Sequence, residues 1–467
     1  NFIHNSKQFK ITPMKYHNPK KISITQKINC LLSIVFVVAC TKPSPKQTQQ
    51  TPFGYLAFGD IRGEVEPCGC DPETDLGGIR RIAKVINQEA SMSEVYSLGN
   101  NYPSKAHEHK INLINKTLAK LPLSAALFNE LEFEQYKNKN LDLTNIPYVL
   151  SNMSPILDKK IAFSRDTQNT IILGYVTPSR HSQLKPAEKV LQLWRNFLKN
   201  NEKKKVLLFS GDNSELNAIS KTEIFDEIIT SNPKSMNSTP DHLEKQKPGV
   251  LLRNDKWYMV PSFGQGVLLG GALRNAPKIT LPLFQNQSPT KNESALAPNR
   301  LFVWLDKSLQ DNKLFAEEFA RYQKDVAEDF NAVAKLKISA LKASPFAGAE
   351  ACKNCHVSAF QAWEKSAHAH ALATLKAKTK HQDPECVSCH VLGFKDKGGF
   401  VDEKSSPHFA NVQCETCHGP RKEHVANPAV KPKLKTAAKA VCVDCHHQPH
   451  SSNFKFETYW PKIKHGK

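Results

Sequence analysis

The sequence predicts an α/β sandwich followed by a mainly helical tail of a different chemical character. Three observations carry this reading. Strand-like and helix-like segments alternate from Phe53 to about Asp306. Phe315, Phe319, Tyr322, Val326, Phe330 and Val333 then repeat at steps of four, three, four, four and three, which is one apolar helical face. Beyond it, eight of the 12 cysteines and twelve of the 18 histidines lie after residue 351.

With 467 residues, 23% charged and 40% hydrophobic, the chain has material for real cores, and its composition excludes collagen, coiled coil and wholesale disorder. Its formal net charge is +20, from 64 basic and 44 acidic side chains. Such a charge suits nucleic acid or an anionic surface unless something in the chain balances it.

Lys15, Lys20, Lys21 and Lys27 precede an apolar run from Ile28 to Ala39. The run is too short for a stable spanning helix and suits a signal peptide over 1–39, with Met14 as the expected start. It ends Val37-Val38-Ala39-Cys40, which resembles a bacterial lipoprotein box. That resemblance implies lipidation of Cys40 and a tether over 40–52, holding the mature protein at a membrane surface. The alternatives are ordinary secretion and an uncleaved anchor.

In the middle region Tyr55–Phe58, Val95–Leu98, Thr170–Val176, Val206–Phe209 and Leu301–Leu305 read as buried strands. Leu76–Glu89, His107–Leu121 and Ala187–Asn200 read as amphipathic helices. The order of signals over 53–306 resembles the calcineurin-like phosphoesterase fold of the 5′-nucleotidase family. That family holds two metals on Asp-x-His, Gly-Asp, Asn-His, a lone His and Gly-His-x-His, each just after a strand. Here the first strand is followed by Gly59-Asp60-Ile61-Arg62 and the second by Gly99-Asn100. Asn129-Glu130, Ser210-Gly211 and Ser231-Asn232 stand at the other expected places. Asp60 and Asn129 alone keep a ligand type, so the domain reads as a non-catalytic relative. Cys68 and Cys70 flank Gly69 in a Gly-rich loop with no partner pair before residue 351, and read as a reactive or incidental pair. The helical spacer of 307–345 reads as packing rather than a cofactor box, and Ser344-Pro345 stops it.

The tail, 346–467, repeats one motif four times: Cys352-x-x-Cys355-His356, Cys386-x-x-Cys389-His390, Cys414-x-x-Cys417-His418 and Cys442-x-x-Cys445-His446. Two thiols three apart reach the two vinyl groups of one haem, and the next residue places its imidazole under the iron. Zinc ribbons also use paired Cys-x-x-Cys, but they have no need of a His after every second Cys. The motifs therefore predict four covalent haem c groups, and the export signal agrees. The tail has 18 basic and 11 acidic side chains, a balance of +7. About eight propionates would offset it, so the basicity is cofactor compensation and nucleic acid is not an expected partner.

Eight other tail histidines could ligate from the far side. Here the tail resembles the four-haem cytochrome c-554 family, on Trp363-Glu-Lys-Ser-Ala-His368-Ala-His370, on Cys414-Glu-Thr-Cys417-His418-Gly419-Pro420 with His424, and on Tyr459-Trp460-Pro-Lys-Ile-Lys-His465. The resemblance implies that His368, His424 and His465 are distal ligands, on the third, first and fourth haems in that order. It also implies that the second haem, on His390, lacks a protein distal ligand. His370, His408, His447 and His450 are extra and read as surface or hydrogen-bonding residues, although they leave the second haem's sixth position undecided.

The expected function is a lipid-anchored electron carrier exchanging electrons with other redox proteins. The alternatives are an oxidoreductase acting on a small nitrogen species at an open haem, or a residual phosphoesterase. Oligomeric state, redox potentials and the membrane leaflet have no signature in the sequence.

Overall fold

Among the described residues, twelve strands and two cores organise the region before the tail. The structure is a computed structural model that describes residues 54–66, 76–88, 94–105, 107–178, 181–231, 253–254, 257–260, 264–271, 300–305, 309, 315–430, 439–447, 450–451 and 454–465. Cys40, Cys68, Cys70, Asn232 and the apolar run of 28–39 lie outside the described residues.

The strands are β1 (Gly54–Phe58), β2 (Glu94–Ser97), β3 (Ala125–Leu127), β4 (Tyr148–Val149), β5 (Ser164–Asp166), β6 (Thr170–Val176), β7 (Lys204–Ser210), β8 (Glu227–Ser231), β9 (Arg253–Asn254), β10 (Trp257–Val260), β11 (Gly266–Gly271) and β12 (Arg300–Trp304). They form two six-stranded sheets, ordered β12-β11-β1-β2-β3-β4 and β5-β6-β7-β8-β10-β9. In each sheet four neighbouring strands run parallel, β1 to β4 in one and β6, β7, β8 and β10 in the other.

Strand periodicity sorts the side chains between layers. Ile172, Val176, Val206 and Leu208 face the core shared with Tyr55, Leu56 and Leu127 of the first sheet. Their neighbours Ile171, Leu173, Tyr175, Leu207 and Phe209 pack instead with Trp194 and Leu198. Both faces are covered, so these strands are apolar throughout rather than alternating. The helices are α1 (Ile79–Gln88), α2 (Glu108–Lys120), α3 (Glu130–Lys137), α4 (Ala187–Leu198) and α5 (Asn213–Ser220). Tyr55 donates to the buried Glu227 across the sheets at 2.5 Å, and Lys204 holds the other oxygen of that carboxylate at 3.0 Å. The α/β sandwich expected from the alternation is present.

The expected helical face is α6 (Ala316–Lys337), continued by a 3-10 turn over Ile338–Ala343. The backbone leaves the helix at Ser344, the residue before Pro345. One member of the stripe is corrected. Val333 is 45% exposed, and Ala334 takes the buried place. Helix α6 joins two cores: Phe315 and Phe319 belong to the sandwich core, while Phe330 belongs to a cluster in the tail.

The tail is helical, with α7 (Val357–Glu364), α8 (Ala371–Ala377), α9 (Pro384–His390), α10 (Cys414–His418), α11 (Lys422–Ala426), α12 (Lys439–Val443) and α13 (Phe456–Tyr459). It contains more apolar core than its cofactor-like composition suggests. Phe346, Leu372, Leu375, Val387, Val391, Leu392, Phe400 and Phe409 close around Phe330.

Candidate cofactor-binding site

The edge of the sandwich where metals would converge is knitted together by protein groups. Asp60 donates its backbone N–H to the Gly99 carbonyl at 2.7 Å, and Arg62 donates to Asn100 at 2.8 Å. Asp60, Arg62 and Asn100 all hold positive φ angles, near 50°, which non-glycine residues rarely adopt. The Arg62 Nε lies 2.9 Å from Asp60 Oδ1. Asn100 Oδ1 accepts from the Leu131 N–H, while Asn129 caps α3 through the Glu130 N–H and donates to the Leu98 carbonyl. Glu132 is fully buried and accepts from the backbone of Asn100 and Asn101 at 2.8 and 3.1 Å. Burial raises its carboxyl to about 7 against those bonds. Asn100 and Asn129 are thus used as structural hydrogen-bonding groups. Gly211 carries no ligand, and Thr177 Oγ1 takes the next N–H, that of Asp212.

The tail builds its site from helical turns. In α9 the Asp383 carboxylate caps the Glu385 N–H at 2.9 Å, and Pro384 opens the first turn. In α10 Gln413 and Thr416 cap each other's backbone. His356 donates its N–H to the Cys352 carbonyl and His446 to that of Cys442. Residues i, i+3 and i+4 of such a turn share a face, so both thiols and the imidazole of a motif can address one ligand. None of the eight motif cysteines is in a disulfide. The thiols of Cys352 and Cys414 lie close enough to perturb each other, as do those of Cys389 and Cys445, so the first motif adjoins the third and the second adjoins the fourth.

The histidines then pair across space. His356 faces His424 with ring centres 6.4 Å apart, His446 faces His368 at 6.1 Å, and His418 faces His465 at 5.8 Å. Metal–imidazole bonds run about 2.0–2.1 Å, so two imidazoles on opposite sides of one metal ion have centres roughly 6 Å apart. Each of these three pairs joins a motif His to a non-motif His, whereas the His447 and His450 rings, 5.8 Å apart, involve no motif His. Among the described residues, no group of three or more His, Cys, Asp or Glu side chains converges on a single ion position. The donors are therefore arranged in opposed pairs rather than in tetrahedra.

Hydrogen bonds fix the ring tautomers. Nδ1 of His424 meets the Val430 carbonyl at 2.9 Å, Nδ1 of His465 meets that of Ile463 at 2.9 Å, and Nδ1 of His390 meets that of Ala371 at 2.6 Å. A carbonyl only accepts, so each Nδ1 donates to it and Nε2 is the nitrogen left to meet a metal ion. Burial pushes His368, His418 and His446 below the ordinary imidazole value, and the facing His465 and His368 rings add to this at His418 and His446. The shift favours the neutral ring that metal ligation requires.

Beside these pairs lies a cavity of about 930 Å³, lined by Cys386, Cys389 and His390 of the second motif and by Cys442, Cys445 and His446 of the fourth. That is near the top of the roughly 300–1,000 Å³ found for ligand and cofactor sites. Tyr459, Trp460, Phe454 and Ile463 supply apolar walls. The donor pairs, the thiols and the room together fit covalently attached haem.

Residues 351–419 match the family model described as cytochrome c554 and c-prime. The tail is similar to cytochrome c-554 of Nitrosomonas europaea, 40% identical over a 92-residue alignment, with a coverage of 16% of this chain and 39% of the relative. The chain therefore spans about 39% of the length of that curated relative. A solved structure of reduced cytochrome c554 from the same organism covers 26% of this chain and 78% of its own, at 28% identity and a TM-score of 0.19. A calcineurin-like phosphoesterase of Bacillus subtilis covers 59% of this chain and 97% of its own, at 13% identity and a TM-score of 0.38.

The structure brings His368, His424 and His465 each to a motif histidine. The His424 ring lies opposite His356 of the first motif. The other two are exchanged, with His368 at the fourth motif and His465 at the third. The fold decides this, because the segment after α13 returns to α10 while His368 lies beside α12. Of the extra histidines, His370 is exposed, and His408 packs on the Phe409 ring at 4.0 Å. His450 and His381 line the cavity. Sequence reasoning missed the contribution of the sandwich to that cavity, through Glu64 and Val65 after β1 and Lys110 on α2. Nothing in a Cys-x-x-Cys-His motif announces a wall more than 270 residues away.

Proposed function

We propose that the chain is an extracytoplasmic electron-transfer lipoprotein that carries four covalently bound c-type haems in its tail. One observation carries the reading: three motif imidazoles each face a second imidazole at 5.8–6.4 Å. Bound haem supplies one-electron chemistry, and two axial imidazoles favour electron transfer over chemistry on a small ligand. The chain's own residues do the rest. The cysteines Cys352, Cys355, Cys386, Cys389, Cys414, Cys417, Cys442 and Cys445 anchor the groups. His356, His390, His418 and His446 ligate from one side, and His424, His465 and His368 close the first, third and fourth positions. The contacts of Cys352 with Cys414 and of Cys389 with Cys445 keep neighbouring attachment points close, as exchange between cofactors needs.

On this reading the sandwich has no hydrolytic role. Other redox proteins are the partners, and Cys40 carries a lipid anchor. Among the described residues no helix is long and apolar enough to cross a membrane.

The test is the purified, matured chain. Its mass should exceed the processed peptide by four haems that survive denaturation and acid–acetone extraction. Stoichiometric zinc without haem would overturn the reading. Cys40→Ser should block maturation or release the protein from membranes, and unchanged membrane association would remove the anchor from the proposal.

A further inference from the structure

The cavity beside His390 has two kinds of wall. One is the tail, with Cys386, Cys389, His390 and His446. The other belongs to the sandwich and the helix joined to it: Glu64 and Val65 from the loop after β1, Lys110 from α2, and Tyr322 and Val326 from α6. Helix α2 is held against α6 by His109 Nε2, 2.9 Å from Asp329 Oδ2, and by the Lys120–Glu318 pair. That fixes the position from which Lys110 reaches into the tail.

Lys110 is only 8% exposed, and its ammonium is ion-paired with Glu385, the residue directly before Cys386. A buried lysine is costly to keep unless its charge is matched, and matching charges at such a place fix geometry as well as field. This contact ties an attachment turn of the tail to a helix of the sandwich.

We propose that the sandwich is a structural half of the cofactor site at Cys386–His390, with Lys110 and Glu385 as the fixed charge pair in its wall. This rests on the haem reading of the motif. Reduction adds negative charge to the cofactor, so a nearby cation raises its potential and a nearby anion lowers it. Lys110 and Glu385 offset each other, and removing one exposes the other. Lys110 is then a positioning residue whose charge also acts on the cofactor.

The experiment is a spectroscopic redox titration of the full-length, matured protein, with covalent haem counted first. The component belonging to the second motif is marked by His390→Met, which changes its axial ligand. Lys110→Met should shift that component down, and Glu385→Gln should shift the same component up. The double variant should return toward the wild type, and Lys110→Arg should leave it in place. Lys203→Met, at the surface pair with Asp166 outside the cavity lining, should move nothing.

Two singles shifting in the same direction would mean that the bridge only holds the structure together, and would overturn the proposal. So would unmoved potentials with full haem content, or a shift spread over all components. A chain with no covalent haem would overturn the haem reading itself, and this inference with it, before any potential is measured.

Discussion

The rings of His368 and His446 face each other at 6.1 Å, inclined by 47°. One belongs to the 3-10 turn Ala367–His370 and the other follows α12, so only the tertiary fold brings them together. His370 lies on the same turn but is exposed, because residues two apart on such a turn point to different sides.

His368→Ala should therefore give the ferric spectrum a high-spin component and shift one potential, with covalent haem content unchanged. His370→Ala should leave the spectrum as it is. A silent His368→Ala beside a perturbed His370→Ala would assign the ligand to the other histidine of the pair.

Glu415 sits between the two cysteines of the third motif and is 2% exposed. Its carboxylate accepts from the backbone of Ala347 at 3.0 Å, Gly348 at 2.8 Å and Arg421 at 2.6 Å. It ties two segments, Ala347-Gly348 and Arg421, to α10. Glu415→Ala leaves those buried N–H groups without an acceptor and should cost roughly 1–3 kcal/mol or more. Glu415→Gln, which keeps one acceptor, should cost less. Denaturant midpoints of the two variants would check this, and two midpoints equal to that of the wild type would refute it.

The fold class was legible because sandwich strands buried on both faces read as apolar runs. The four motifs were equally legible, because covalent attachment demands a fixed local spacing. The short strands Ala125–Leu127 and Tyr148–Val149 were not, since two or three residues show no periodicity. Which distal histidine meets which motif was not legible either. His368 and His465 differ in their partners only through the path of the chain between them. Lys110 gave no signal at all, because a lysine on an amphipathic helix reads as its solvated side.

Glu132 gives the sandwich a pH dependence of known sign. Burial raises its carboxyl to about 7, above the ordinary glutamate value of about 4.3 in an unfolded chain. Between those values the folded chain keeps a proton that the unfolded chain has released. Stability should therefore fall as pH rises through this window, by up to about 1.4 kcal/mol per pH unit from this group. His450, pushed down to about 4 by burial, contributes in the opposite sense from about 4 to the ordinary imidazole value. The diagnostic is thus the difference between the wild type and Glu132→Gln. That difference should slope between about pH 4.5 and 7, and a flat difference would exclude the assignment.

Arg62 settles what Asp60 can hold. Its guanidinium nitrogen is 2.9 Å from Asp60 Oδ1 on a carboxylate that is 1% exposed. A divalent ion at this edge would have to share that carboxylate with a fixed cation, at a cost that burial makes large. Asn100 and Asn129 are neutral and hold backbone groups of Leu131, Glu130 and Leu98. Too little negative charge remains to retain two metals or to lower the pKa of a bound water. The full-length protein should bind no manganese or zinc at this edge by calorimetry. It should leave nucleotides and simple phosphate esters intact with either metal added. Arg62→His restores one imidazole but none of the other donors, and should also stay inactive. Turnover by the wild type that disappears in Asp60→Ala would show that the edge still assembles a hydrolytic centre.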